Sequence, residues 1–186
     1  SDFRHGIFNK NSIPYLIESV PKNVFKVADS QVATRWGNIT DYKEFDLVTP
    51  NEREVRFSLA DQDSSLSDMT RQLVSIMNFK NLILKVGEKG IFSVDNEGKE
   101  KPRPPFTVPS FATKVADAVG AGDALLAYAT LSMISTKSLL ISSIIGSIAA
   151  ACACENEGNI VVTPDLIINK ISSIEETTKY KIQNTI

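Results

Sequence analysis

The sequence predicts an α/β fold: a mostly parallel central sheet flanked by helices on both faces. Two observations predict it. Short strand-like runs alternate with helical patterns along the chain, the order that parallel sheets covered on both faces require. A content of 42% hydrophobic residues in 186 supplies one core, so residues 1–186 read as a single α/β domain.

The elements follow in order. Residues 12–20 read as a short helix, 24–28 as a strand and 45–48 as another. Pro50 then breaks the strand, and 51–59 read as a helix opening with acids. After a polar loop at 61–65, residues 66–77 form an amphipathic helix with Leu66, Met69, Leu73, Ile76 and Met77 on one side. Strands are expected at 82–86 and 91–94, joined by a tight glycine turn. Four prolines make 99–109 an extended connection. Residues 121–134 and 138–154 are largely apolar helices, and 165–176 a last helix before a polar tail expected to fray. The charged run 98–103 reads as solvated loop, Lys22 and Lys26 as surface, and Trp36 as packing under a loop.

Composition excludes several classes. A formal net charge of −2 gives no bulk attraction for nucleic acid. The apolar run 139–154 is interrupted by Ser142, Ser143, Gly146 and Ser147, so no membrane span is expected. Cys152 and Cys154 are too close for a natural disulfide, and His5 is the lone histidine, which disfavours a zinc site. A reducing, cytoplasmic setting is the simple reading.

The segment Val119-Gly-Ala-Gly-Asp123 opens an apolar helix. Gly120 and Gly122 leave the backbone nearly bare, so its amides can approach an anion. Unpaired amides and the helix dipole favour phosphate there. An acid at that place is costly for simple phosphate binding. Asp123 makes sense as a base that takes a proton from an attacking hydroxyl while the amides hold developing charge. The plainer reading is an early-turn acid favoured by the dipole.

Asn51 and Glu54 are three apart after Leu-Val-Thr-Pro, so they share a face of a first helical turn. Their oxygens suit Mg²⁺; they equally suit an N-cap and its capping-box partner. Lys85 ends a strand before the Gly87 and Gly90 turn, either reaching a phosphate or standing solvated. Residues 146–154 form a small-residue stretch that includes Ser147; close helix packing also wants such residues.

These segments resemble, in order, those of the ribokinase-like (PfkB) carbohydrate kinases. The family signature Asp-Thr-x-Gly-Ala-Gly-Asp is matched at 117–123, with Ala118 for threonine and Tyr128 where a small residue is usual. Its Asn-x-x-Glu falls on 51–54, and its Thr-x-Gly-x-x-Gly on 85–90, with Lys85 replacing threonine. The resemblance implies that Asp123 is the catalytic base and that Gly120, Ala121 and Gly122 form the anion hole. It implies that Asn51 and Glu54 organise magnesium through water, that Gly87 and Gly90 approach the nucleotide, and that the helix around Ser147 backs the adenine. ATP, Mg²⁺ and a sugar-class substrate are the implied ligands. A monovalent cation near the Asp117 and Gly158 loops, and a homodimer, are further expectations.

Ser1-Asp2-Phe-Arg-His-Gly6 and Val27-Ala-Asp-Ser-Gln31 look most like the heptose kinase part of ADP-heptose synthesis proteins, with His5 and Gln31 where those have lysines. The expected activity is ATP-dependent phosphorylation of a sugar or sugar-phosphate hydroxyl. The alternative is a non-catalytic nucleotide-binding or assembly module with the same fold. The resemblance covers nearly all of the chain but only the family's second half. Its early strands, sugar-binding acid, paired glycines and small β lid have no counterpart here, so the chain reads as the C-terminal, nucleotide-side portion.

Overall fold

The computed structural model describes residues 1–3, 5–30, 39–97 and 103–183, with side chains to residue 178. Gln31, Trp36 and the 98–102 part of the charged run lie outside the described residues. Where the sequence reads as one domain, the chain groups into two compact units, Ser1–Pro109 and Ser110–Ile186.

The first unit carries one sheet of β1 (Val27–Ala28), β2 (Leu47–Val48), β3 (Asn81–Lys85), β4 (Ile91–Asp95) and β5 (Phe106–Val108), in that order. The pairs β1–β2 and β2–β3 are parallel, with Ala28 opposite Val48 and Val48 opposite Leu82. The hairpin β3–β4 and the edge pair β4–β5 are antiparallel. β5 lies within the proline-rich connection: it begins just after Pro104 and Pro105, and a strand start is a place where proline costs no ladder bond.

Three helices belong to this unit: α1 (Ser12–Ser19), α2 (Glu52–Leu59) and α3 (Leu66–Met77). α3 starts where Ser65 accepts from the Asp68 amide and stops at Asn78, which adopts φ 51°; asparagine tolerates that left-handed turn. Its buried face is Met69, Thr70, Leu73 and Met77, while Ile76 is 43% exposed. The apolar stripe is therefore narrower than the sequence pattern suggests, and Ile76 lies off it. Met69, Leu73 and Met77 join Val48, Val55, Leu82, Leu84 and Phe92 in one core. Leu47 and Ile83 are also fully buried, outside that cluster.

The second unit comprises α4 (Ala121–Thr136), α5 (Leu139–Cys154) and α6 (Pro164–Gln183). α4 and α5 form a hairpin through Lys137, at φ 54°, and the N-cap Ser138. Gly146 lets them meet closely: a Cβ there would lie 3.0 Å from Ala129 Cβ and 3.1 Å from the Leu125 carbonyl oxygen. Ile167 of α6 packs with Ile148 and Cys152 of α5. Tyr128 donates to the Val162 carbonyl at 2.8 Å, so the bulky residue at this position ties α4 to the segment before α6. α6 continues to Gln183, past the expected end at residue 176. Among the described residues no helix is long and apolar enough to cross a membrane.

Candidate functional site

In the first unit, polar residues gather at the carboxyl ends of the parallel strands, where open α/β sheets bind ligands. Asp29 follows β1, Thr49 follows β2, and Lys85 ends β3. Asn51 sits beside Lys85 in a parallel bridge, and the Lys85 amide donates to the Pro50 carbonyl at 2.9 Å.

Asn51 is the N-cap of α2 and closes a capping box with Glu54. Its Oδ1 accepts from the Glu54 amide at 2.8 Å; its amide donates to Glu54 Oε2 at 2.8 Å and its Nδ2 to Oε1 at 2.6 Å. The pair thus fulfils the capping reading in full. Glu54 is buried, and a carboxylate oxygen can accept more than one hydrogen bond. This donor set fits a hydrated Mg²⁺, which prefers oxygen ligands and keeps several waters.

Lys85 is neither a freely solvated strand-end lysine nor an unengaged cation. Its Nζ lies 2.9 Å from Asp29 Oδ1 and 3.1 Å from Oδ2. The lysine side chain is 19% exposed and the aspartate 2%. A buried carboxylate demands such a partner. Asp2, also buried, accepts from Tyr42 Oη at 2.8 Å and bridges Ser30. Thr49 is buried, and its Oγ1 has no hydrogen-bond partner among the described residues.

The turn after β3 is a short 3₁₀ segment, Gly87–Lys89. Gly87 at φ 63° and Gly90 at φ 90° take conformations that a side chain resists. The Gly90 amide closes on the Gly87 carbonyl at 3.0 Å, and the Val86 amide on the Gly90 carbonyl at 2.9 Å. An open cleft of about 1050 Å³ borders this turn, lined by Asn51, Arg53, Lys85 and Gly87 among others.

In the second unit, Gly120 is the N-cap of α4 with φ 81°. The Ala121 amide turns back to the Ala118 carbonyl at 3.3 Å; later first-turn amides have no intrahelical acceptor. Asp123 stands exposed on that first turn. Asp117 Oδ1 accepts from the Val119 amide at 3.0 Å and shapes the approach to Gly120. The Asn159 side chain lies over Gly120: a Cβ there would be 2.3 Å from its Oδ1. Gly158, at φ 75°, turns the chain into Asn159.

Glu155 pins the approaching loop. One of its oxygens accepts from the Thr113 amide at 2.6 Å, Thr113 Oγ1 at 2.8 Å and Lys170 Nζ at 2.6 Å. Burial pushes its carboxyl up, but the bonds from Lys170 and Thr113 outweigh burial and hold it below the ordinary glutamate value. The Ala116 and Asp117 amides add bonds to the Cys154 carbonyl. Sequence reading missed Glu155, whose partner Thr113 is 42 residues away, and Asn159. Burial raises the thiols of Cys152 and Cys154, which makes them weak nucleophiles. Ser147, expected beside an adenine, is 5% exposed and next to Gly146 on the packed side of α5.

The model of the pfkB family carbohydrate kinases matches residues 17–166. The chain is 27% identical over 166 residues to a bifunctional protein HldE of Nitrobacter winogradskyi, covering 88% of this chain and 32% of that protein. It is 26% identical over 174 residues to one of Rhodopseudomonas palustris, covering 92% and 34%. It thus spans about a third of the length of the curated relatives it matches. Among solved structures, phosphofructokinase-2 from Escherichia coli in complex with potassium superposes with a TM-score of 0.73 at 19% identity, over 90% of this chain and 53% of that one. A ribokinase from Thermotoga maritima gives 0.69 at 20% identity, over 87% and 52%. At these identities the superpositions establish a ribokinase-like fold.

Proposed function

This chain belongs to the pfkB family of carbohydrate kinases, and we propose that it forms the nucleotide side of a kinase that transfers the γ-phosphoryl of ATP to a sugar or sugar-phosphate hydroxyl. The observation that carries this reading is the start of α4: a glycine N-cap at φ 81° with an exposed carboxylate in the first turn. The Gly120–Gly122 backbone receives phosphate charge, and Asp123 takes the proton of the attacking hydroxyl. Asn51 and Glu54 would hold magnesium through its waters; the ion, when bound, neutralises phosphate charge. The β3–β4 glycine turn, with Lys85 beside it, borders the nucleotide. A monovalent cation near Asp117 and Gly158 belongs to the same reading.

The HldE relatives favour a heptose-class acceptor, and the absence of lysine at His5 and Gln31 weakens that choice. A second reading, a non-catalytic nucleotide-binding or assembly module, is favoured by Ala118 and Lys85 standing where the family has threonine. Phosphoryl-transfer assays on Asp123→Asn separate the two: a kinase loses turnover, and a module has none to lose.

A further inference from the structure

Asp29 directly follows β1 and Lys85 ends β3, with β2 between the two strands, a gap of roughly 10 Å across the sheet. Only a long side chain spans it. The lysine reaches back over the Thr49–Pro50 segment and places its ammonium against both oxygens of a carboxylate that is 2% exposed. The ammonium contacts both Asp29 oxygens and keeps at least one of its three N–H donors beyond them. Lys85 still lines the open cleft beside Asn51 and Gly87. That lining carries three cations, Arg53, Arg56 and Lys85, against one carboxylate, Glu52. Arg56 is held by Glu52 at 2.7 Å, whereas Arg53 is exposed. With Lys85 paired to Asp29 and Arg56 to Glu52, Arg53 is the lining's excess positive charge, in a chain whose net charge is −2.

We propose that Asp29 is a positioning residue: it fixes the Lys85 ammonium at the Asn51 cleft as a contact for a phosphate-bearing ligand. This rests on reading the cleft as part of a nucleotide site. A lysine is a flexible point charge that normally spends rotamer freedom on each contact. Anchored by a buried carboxylate, its remaining donor is set in place before the ligand arrives, and part of the ordering cost is already met. Asp29 touches no ligand itself; it acts through Lys85.

Titration of the chain with MgATP and with inorganic tripolyphosphate, followed by calorimetry, tests this. Asp29→Asn and Lys85→Met each weaken both probes about tenfold, the scale of one charge-assisted hydrogen bond. Asp29→Glu, which keeps the carboxylate, stays within about threefold of wild type. The double variant Asp29→Asn/Lys85→Met binds no more weakly than Lys85→Met alone, because the two residues act as one unit. Wild-type affinity in Asp29→Asn, or losses that multiply in the double variant, overturns the positioning role and leaves the nucleotide reading intact. Absence of binding of either probe by the wild-type chain overturns both. Should Asp29→Asn fail to fold, the double variant removes both members of the Asp29–Lys85 pair, and its comparison with Lys85→Met still decides: equal affinities support the coupling, and a further loss refutes it.

Discussion

Asn51 and Glu54 are locked to each other by three hydrogen bonds of 2.8, 2.8 and 2.6 Å, so the residues assigned to magnesium are also the cap of α2. The two roles separate on substitution. Glu54→Gln keeps an acceptor for the Asn51 backbone amide but sets an NH2 against Asn51 Nδ2, so the lost bond should cost about 1–3 kcal/mol of stability. It removes the charge a divalent cation needs. The expected outcome is a lowered melting temperature in a chain that still folds, with a strongly raised Mg²⁺ requirement for nucleotide binding. An unchanged Mg²⁺ requirement would leave Glu54 as a cap alone.

Gly120→Ala tests the backbone conformation at the α4 N-cap, the anion hole we propose. The added Cβ would meet Asn159 Oδ1 at 2.3 Å, but that atom ends an exposed side chain that can rotate away. The strain that remains comes from φ 81° and is worth about 1–2 kcal/mol. Chemical denaturation should show that loss, and Asn159→Ala in the same background should not restore it. Full rescue by Asn159→Ala would mean that the contact, and not the backbone, decides.

Gly146→Ala sets two effects against each other. Helix propensity favours alanine by about 1 kcal/mol. The new methyl would press on Ala129 Cβ at 3.0 Å and on the Leu125 carbonyl at 3.1 Å, and backbone yields little, so overpacking costs about 1–3 kcal/mol. The variant should be destabilised, and adding Ala129→Gly should recover part of the loss. A stabilised Gly146→Ala would show that α4 and α5 pack less tightly than described.

Glu155 predicts a pH dependence. Its folded-state carboxyl lies below the ordinary 4.5 because the Lys170 and Thr113 bonds together outweigh burial. A depressed folded value contributes stability that is present above the unfolded value and lost as pH falls through the folded one. Glu155→Gln should therefore cost about 1–3 kcal/mol near neutral pH, and the gap from wild type should close under acid. Denaturation series over that range check this; a gap independent of pH would remove the ionised carboxylate from the account.

Much of this was legible where the signal is local. The helix at Leu66–Met77 follows from the spacing of its apolar residues, and the structure adds its Ser65 cap. The Gly-Ala-Gly-Asp and Asn-x-x-Glu segments land on helix starts because glycine, asparagine and acid residues each favour such positions. What stayed hidden depends on partners distant in sequence. Lys85 looked like a solvated or phosphate-seeking residue because Asp29 is 56 positions away. β5 was obscured by its flanking prolines, and β1 and β2 proved only two residues long, shorter than their apolar runs. The small-residue stretch around Ser147 suits base stacking and helix packing alike, and the close approach of Gly146 to Ala129 and Leu125 accounts for the packing role only.

The central claim is that Asp123 is a base set in an anion hole. The most direct test is steady-state phosphorylation by the longest reading frame containing this chain, comparing wild type with Asp123→Asn. The account predicts that kcat falls about 10²–10⁴-fold, the span of a positioned general base, while nucleotide affinity and the melting temperature stay close to wild type. Turnover at the wild-type rate in Asp123→Asn would contradict it and leave the residue as an early-turn acid of α4.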